Sequence, residues 1–202
     1  SKRKTKWKGA HGLSVLKQEA WEWTKAIIIG MLIIVVIRSL VVTNYSVSGQ
    51  SMQPTLHNSD KVLVSKISYT LGDIDRLDVL VFHSDENEDY VKRIIGLPGD
   101  VITYYNDKLF INDKRVEEPF LHSYDAYQDP NDRLTENFTL QTLTGRLRIP
   151  EDSYFVLGDN RRQSLDSRYF KFVKKDDIVG KVVARYWPLD TATIDFTGKS
   201  PE

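Results

Sequence analysis

Val101-Ile-Thr-Tyr-Tyr-Asn-Asp-Lys-Leu-Phe-Ile111 sets two short runs of β-branched and aromatic residues on either side of Asn106-Asp107. Such residues suit a pleated, half-buried surface. Asn and Asp tolerate left-handed backbone angles, so the pair makes a tight hairpin turn. The stretch reads as two antiparallel strands. The same texture runs outward in both directions, in Lys61-Val-Leu-Val-Ser65, Asp78-Val-Leu-Val-Phe82, Tyr90-Val-Lys-Arg-Ile-Ile95, Ser153-Tyr-Phe-Val-Leu157 and Ile178–Trp187. Pro98-Gly99 and Pro119 punctuate these runs as turn residues do. Residues 120–145, with Tyr124-Asp-Ala-Tyr-Gln-Asp-Pro-Asn-Asp132, are polar and irregular and read as an insertion or arm. The expected fold class is mainly β: an antiparallel β-sheet domain over 44–202, with an insertion at about 101–150.

Toward the N-terminus the texture changes. Ala26-Ile-Ile-Ile-Gly-Met-Leu-Ile-Ile-Val-Val-Ile37 is an uninterrupted apolar run, resumed after Arg38-Ser39 as Leu40-Val41-Val42. At ~1.5 Å per residue it sits at the short end of what crosses ~30 Å of hydrocarbon. Arg38 is near enough to the far end to snorkel outward, and Trp21 and Trp23 suit the near interface. Lys2, Arg3, Lys4, Lys6, Lys8, Lys17 and Lys25 outweigh Glu19 and Glu22, so residues 1–25 carry about +5 and the remainder about −5. A basic segment before an apolar span stays inside. The expectation is a basic cytoplasmic tail (1–25), one transmembrane helix (26–43) and an extracytoplasmic domain (44–202): a single-pass cell-membrane protein. A buried core helix and a removable secretory leader are the alternatives. Dense isoleucine and valine without a polar stripe argue against the first, and a long basic leader without a clear Ala-x-Ala site against the second.

Composition narrows the chemistry. The 202 residues have 28 basic and 28 acidic side chains, no nucleic-acid footprint. No cysteine is present, which removes disulfides, thiolate metal sites and thiol nucleophiles. His11, His57, His83 and His122 show no metal-ligand spacing, and no metal or other cofactor is expected. Only His57 or His83 could complete a Ser-His-Asp triad, and neither has a recognisable context.

Three segments exceed what a β domain needs. Ser46-Val-Ser-Gly-Gln-Ser-Met-Gln-Pro-Thr-Leu56 places serines around a glycine ahead of a stiffening proline. Asp89-Tyr-Val-Lys-Arg-Ile-Ile-Gly-Leu-Pro-Gly-Asp100 sets Lys92 and Arg93 in an otherwise apolar strand. Adjacent strand residues face opposite sides, so one of the two points inward unless the strand is an edge. Gly158-Asp-Asn-Arg-Arg-Gln-Ser-Leu-Asp-Ser-Arg-Tyr169 is a dense polar loop directly after an apolar strand.

Ser-Met-x-Pro-Thr-Leu, Tyr-Val-Lys-Arg-Ile-Ile-Gly-Leu-Pro-Gly-Asp and Gly-Asp-Asn-Arg-x-x-Ser-x-Asp-Ser-Arg, in that order, resemble the motifs of type I signal peptidases. With the apolar run and Arg76–Phe82, the resemblance covers roughly residues 26–190, and the short single-anchor form is similar to that of Gram-positive bacteria. It implies a serine protease with a lysine base, Ser51 matching the nucleophile and Lys92 the general base. A free lysine has a pKa of ~10.4, so only a few molecules in ten thousand are neutral near pH 7. A working site must therefore desolvate Lys92. Lys61 and Lys66 lie nearer Ser51 in sequence, but in a charge-rich stretch where such a shift is harder to arrange. Ser164 matches a serine that orients the lysine, Asp166 and Arg168 a supporting ion pair, and Gly158, Asp159 and Asn160 the turn that carries them. Gly49 stands where one branch of the family has a hydroxyl, leaving the second oxyanion donor open between Ser48, a water and none. Leu77 replaces a common glycine.

The resemblance implies signal peptides of exported preproteins as substrates, cut after small residues in the Ala-x-Ala manner, with the lipid bilayer and the secretion translocon close by. An extended substrate would lie beside Val47 and Tyr90–Lys92, with Val47, Gly49, Met52, Leu56, Tyr90 and Val91 around it. Three rivals remain: a self-cleaving Ser-Lys repressor, a tethered binding protein without activity, and a secreted adhesin.

Overall fold

The computed structural model describes residues 10–66, 74–84, 88–121 and 133–196; within the helix, the side chains of 10–18, 20 and 36–40 lie outside the described ones. The chain divides into two compact units, Ser1–Val41 and Val42–Glu202.

The first unit is helix α1, Ala10–Val41, a proline-free stretch. It begins well before the apolar run, so residues 10–25 of the expected tail are helical too. Glu22 and Lys25 pair one turn apart at 2.6 Å. Ile27, Ile28, Ile29, Met31, Leu32, Ile33, Ile34 and Val35 are each more than half exposed. At 3.6 residues per turn, that run points apolar side chains in every direction. Among the described residues no helix is long and apolar enough to cross a membrane; the expected span at 26–43 runs through residues 36–40, whose side chains are not among them. Its outer boundary is corrected, because Val42 and Thr43 pair with Ser65 and Val64 as a strand. Satisfying their main-chain groups in the sheet ends the helix at Val41.

The second unit is built on antiparallel ladders. Its large sheet contains β1 (Val42–Ser46), β2 (Lys61–Ser65), β3 (Val79–His83), β4 (Asp89–Gly96), β9 (Ser153–Leu157), β10 (Val173–Lys174) and β11 (Ile178–Trp187), in the order β1-β2-β11-β3-β4-β9-β10. A smaller sheet, β7-β6-β5-β8, joins β5 (Ile102–Tyr105), β6 (Lys108–Ile111), β7 (Lys114–Val116) and β8 (Phe138–Thr139). Asn106 and Asp107 both take left-handed angles, φ 49° and 57°, in the turn between β5 and β6. Much of the expected insertion is thus a sheet. Phe138–Thr144, within the stretch read as irregular, forms β8 and the short helix α2 (Leu140–Thr144), whose first turn is closed by a reciprocal Thr139–Thr142 cap. Residues 122–132 lie outside the described residues.

The strands that lack polar alternation are the ones covered on both faces. Along β3, Val79 and Val81 join Val47, Met52, Leu56, Val62, Val64 and Val182 on one side. Leu80 and Phe82 join Ile94, Tyr154, Val156 and Ile178 on the other. Phe155 and Leu157 of β9 instead turn to Ile102, Tyr104 and Leu109 of the small sheet. The expectation that one of Lys92 and Arg93 points inward is exceeded. Both are buried: Arg93 lies between β3 and β9, whereas Lys92, beyond the end of the β9 ladder, is covered where it meets the Ser51 turn.

Strand β4 is paired unevenly. On the β3 side the register runs from Asp89↔His83 to Arg93↔Val79, whereas on the β9 side it covers only Arg93↔Leu157 to Gly96↔Phe155. Among the described residues, Asp89–Lys92 have no strand beside them there. At the β2–β11 pairing, Gly180 packs so tightly that a Cβ would fall 2.3 Å from the Ser65 carbonyl oxygen. Gly180→Ala is expected to cost about 1–3 kcal/mol by overpacking, read as a lower denaturation midpoint with an unchanged slope.

Candidate active site

Ser51 lies in the turn after β1, and Lys92 on the half-paired stretch of β4. The Lys92 Nζ donates to the Ser51 Oγ at 2.7 Å and to the Val91 carbonyl at 3.1 Å. Lys92 is 4% exposed. Burial lowers its pKa from 10.5 to about 8, against the upward pull of the Asp166 and Asp159 carboxylates. At pH 7 roughly one molecule in ten then has a neutral amine, enough to accept a proton from a hydroxyl. Lys61 and Lys66, the alternatives nearer in sequence, are both exposed.

The two polar loops are stitched together at the serine. The Asn160 N–H donates to the Ser51 carbonyl at 3.0 Å, and the Asn160 side-chain amide to the Gln50 carbonyl at 3.2 Å. Gly158 is needed for this approach, because a Cβ there would lie 2.5 Å from the Ser51 carbonyl oxygen and 2.1 Å from the Ser164 Oγ. Gly49 needs to be glycine for a different reason: its φ of 89° is left-handed while the space around it is open. Ser164 is buried against Gly158, yet its Oγ has no hydrogen-bond partner. The expected Ser164–Lys92 contact is therefore not made, Lys92 being turned to Ser51 and Val91.

Asp166 and Arg168 form the expected ion pair with two bonds of 2.8 Å. Asp166 also caps helix α3, Ser167–Phe170, and accepts from the Gly158 N–H at 3.1 Å. Asp159 has a heavier duty than turn geometry: it takes a two-pronged pair from Arg93 at 2.8 and 2.6 Å, with both residues buried. The other Arg93 donors reach the Leu77 and Phe196 carbonyls and the Thr55 hydroxyl, and its guanidinium lies 3.8 Å from the Phe120 ring centroid. Leu77 holds a φ of 73°, which turns the chain where its carbonyl meets Arg93.

Val47, Gly49, Ser51, Met52, Tyr90, Val91 and Lys92 line one cleft of about 260 Å³. Leu56, expected among them, is wholly buried with Met52 and Val47 in the core and does not line the cleft. Four further lining residues were not foreseen, namely Tyr45, Ser46, Asp89 and Leu165. Tyr45 bonds to Asp89 across the cleft; burial, with Asp89 beside it, pushes its phenol up to about 12. His83 Nδ1 stands 2.6 Å from the same carboxylate. A second buried network, Arg161 on Glu118 with Tyr104, also escaped the sequence reading. Only an arginine within the predicted polar loop hinted at it. His57 is exposed, its main-chain N–H donating to the Asp60 carboxylate, and the side chains of His11 and His122 lie outside the described residues. Among the described residues no three His, Cys, Asp or Glu side chains form a metal-binding group.

Asp159→Asn is expected to destabilise the fold by about 3–5 kcal/mol, because it strands a buried guanidinium without its counter-charge. Equilibrium denaturation of the pure protein measures it; a loss within about 1 kcal/mol would mean that water reaches Arg93.

The family model described as signal peptidase, peptidase S26, matches residues 20–187. A signal peptidase I of Bacillus caldolyticus is 48% identical over 176 residues, spanning 87% of this chain and 94% of its own. A signal peptidase IB of Staphylococcus aureus is 40% identical over 185 residues, 90% and 96% of the two chains. The crystal structure of a signal peptidase I from Enterococcus faecalis superposes with a TM-score of 0.52 at 43% identity, covering 54% of this chain and 95% of that one.

Proposed function

The chain belongs to the signal peptidases of family S26, serine peptidases that remove signal peptides from preproteins, and from that premise we propose that Ser51 is its nucleophile and Lys92 its general base. The observation that carries this is the 2.7 Å bond between the Ser51 hydroxyl and a buried Lys92. In the neutral amine the lone pair accepts the hydroxyl proton as Oγ attacks the scissile carbonyl. The Ser51 N–H donates to the oxyanion that forms. Lys92, now an ammonium, returns the proton to the leaving amine, and a water activated by the regenerated amine releases the acyl chain. Gly158, Asp159, Asn160, Asp166 and Arg168 hold the nucleophile's turn against the lysine, and Ser164 supplies a hydroxyl within that packing.

Substrate binds as an extended strand along the open edge of Asp89–Lys92, opposite Tyr45–Ser48, with its main chain filling the missing ladder. Val47, Met52 and Val91 then leave shallow apolar depressions on one face, which suits small residues at alternate positions and an Ala-x-Ala preference. The apolar side chains of α1, exposed on all sides, and the basic residues before them support a bilayer anchor with the N-terminus inside. Val42–Glu202 is then extracytoplasmic, at the face where signal peptides emerge from the translocon.

Ser51→Ala and Lys92→Met are each expected to lower kcat/KM by about 10⁴-fold or more, with folding retained and the wild-type product ending after Ala-x-Ala by mass. Near-normal cutting by Lys92→Met would assign the base elsewhere. Because the neutral amine is the competent form and protonation removes it, kcat/KM should climb with pH and level off above a midpoint near 8. A midpoint in the ordinary histidine range, ~6.5, would point to an imidazole base instead.

A further inference from the structure

The cleft beside Ser51 continues sideways into a second groove. Tyr90 and Leu165 line both. Beyond them the second groove is walled by Phe82, Tyr169, Phe170 and Phe172 and has a volume of about 220 Å³, room for one large side chain rather than for a separate ligand. Phe82 and Tyr90 present one face of the large sheet to it, the Leu165–Phe172 stretch closes it, and His83, Ser84 and Asp177 add polar groups to its lining. Tyr90 lies opposite Phe82 in the β3–β4 ladder with ring centroids 6.1 Å apart, and Phe82 reaches Phe170 at 6.0 Å. Val91, the next residue of β4, lies opposite Val81 and packs on the other face with Val47 and Met52.

A strand laid along β4 has to divide its side chains between these two faces, since successive residues point to opposite sides. The last and third-last residues before the cut turn toward Val47, Met52 and Val91. The residue between them turns to the Tyr90 face, at the mouth of the aromatic groove. We propose that this groove is the subsite for the penultimate residue of the signal peptide and that it favours a large apolar or aromatic side chain. The proposal rests on the reading of Ser51 and Lys92 as the catalytic pair and of substrate as an added strand. Leu165 and Tyr169 are 49% and 69% exposed. A bulky penultimate side chain covers that apolar surface and meets the ring edges, whereas alanine leaves it wet.

The test is a series of signal-peptide substrates of the form Ala-x-Ala, with x as Ala, Ser, Lys, Leu or Phe, cut by the full-length chain in detergent. Leu and Phe are expected to exceed Ala and Lys by about 3–20-fold in kcat/KM. Tyr169→Ala and Phe172→Ala should each bring the Phe-to-Ala ratio toward one; the ratio is internal to each variant and independent of how much of it is folded. Equal rates for every x in an enzyme that cuts overturn the subsite alone. A preference unchanged in both variants overturns it as well. If the wild type cuts none of the series, the catalytic reading falls and takes the subsite with it.

Discussion

The buried guanidinium of Arg93 is the constraint around which the second unit is arranged. A charge removed from water is tolerated only with a counter-ion and with every donor satisfied. Arg93 meets that condition by drawing in Asp159 from the loop after β9, Thr55 from the turn after Ser51, the carbonyls of Leu77 and Phe196, and the face of Phe120. Five separate stretches of chain thus converge on the residue next to Lys92. Their convergence brings the serine turn and the Gly158–Arg168 loop to the same end of β4. The left-handed Leu77 follows from this demand, because the carbonyl it aims at Arg93 outweighs the cost of the backbone angle, on the order of 1–2 kcal/mol.

The same layering sets the electrostatics of Lys92. One residue along the strand, it is buried as deeply as Arg93 but without a bonded carboxylate, so the medium acts on it unopposed at short range and its proton affinity falls. Two adjacent cations in one strand are therefore treated in opposite ways. The one with a two-pronged partner keeps its charge as a structural tie, and the one facing a hydroxyl is driven toward neutrality. The placement of one carboxylate separates the two: it sits on Arg93 and not on Lys92.

Much of this was legible in the sequence, and the parts that were not have physical reasons. The β5–β6 hairpin announced itself because Asn106 and Asp107 accept left-handed angles that most residues resist. β2, β9 and β11 lie where their β-branched runs lie. β8 and β10 are two residues each, below the length at which alternation can be seen, and Val42–Ser46 was partly absorbed by the apolar run before it. Ser51 and Lys92 stood out through ordered motifs rather than through spacing, and their contact spans 41 residues of chain. The 66 residues between Arg93 and Asp159 hid their pairing, as did the alternation rule, which assigns one face per residue but cannot say that both faces are covered. Tyr45, Asp89 and Leu165 entered the cleft only once the two lips had been brought together in space.

The half-paired β4 has a consequence for what kind of chain can be read at all. An unmatched row of main-chain groups ordinarily invites any neighbouring sheet, and proteins guard such edges against self-association. In this fold the row opens into a cleft of about 260 Å³ that Tyr45–Ser48 and Leu165 also line. A strand already built into another sheet would bring its own neighbours against those residues. On the proposed reading of substrate as an added strand, the cleft sorts by conformation before it sorts by side chain, favouring segments that are locally extended and unaccompanied.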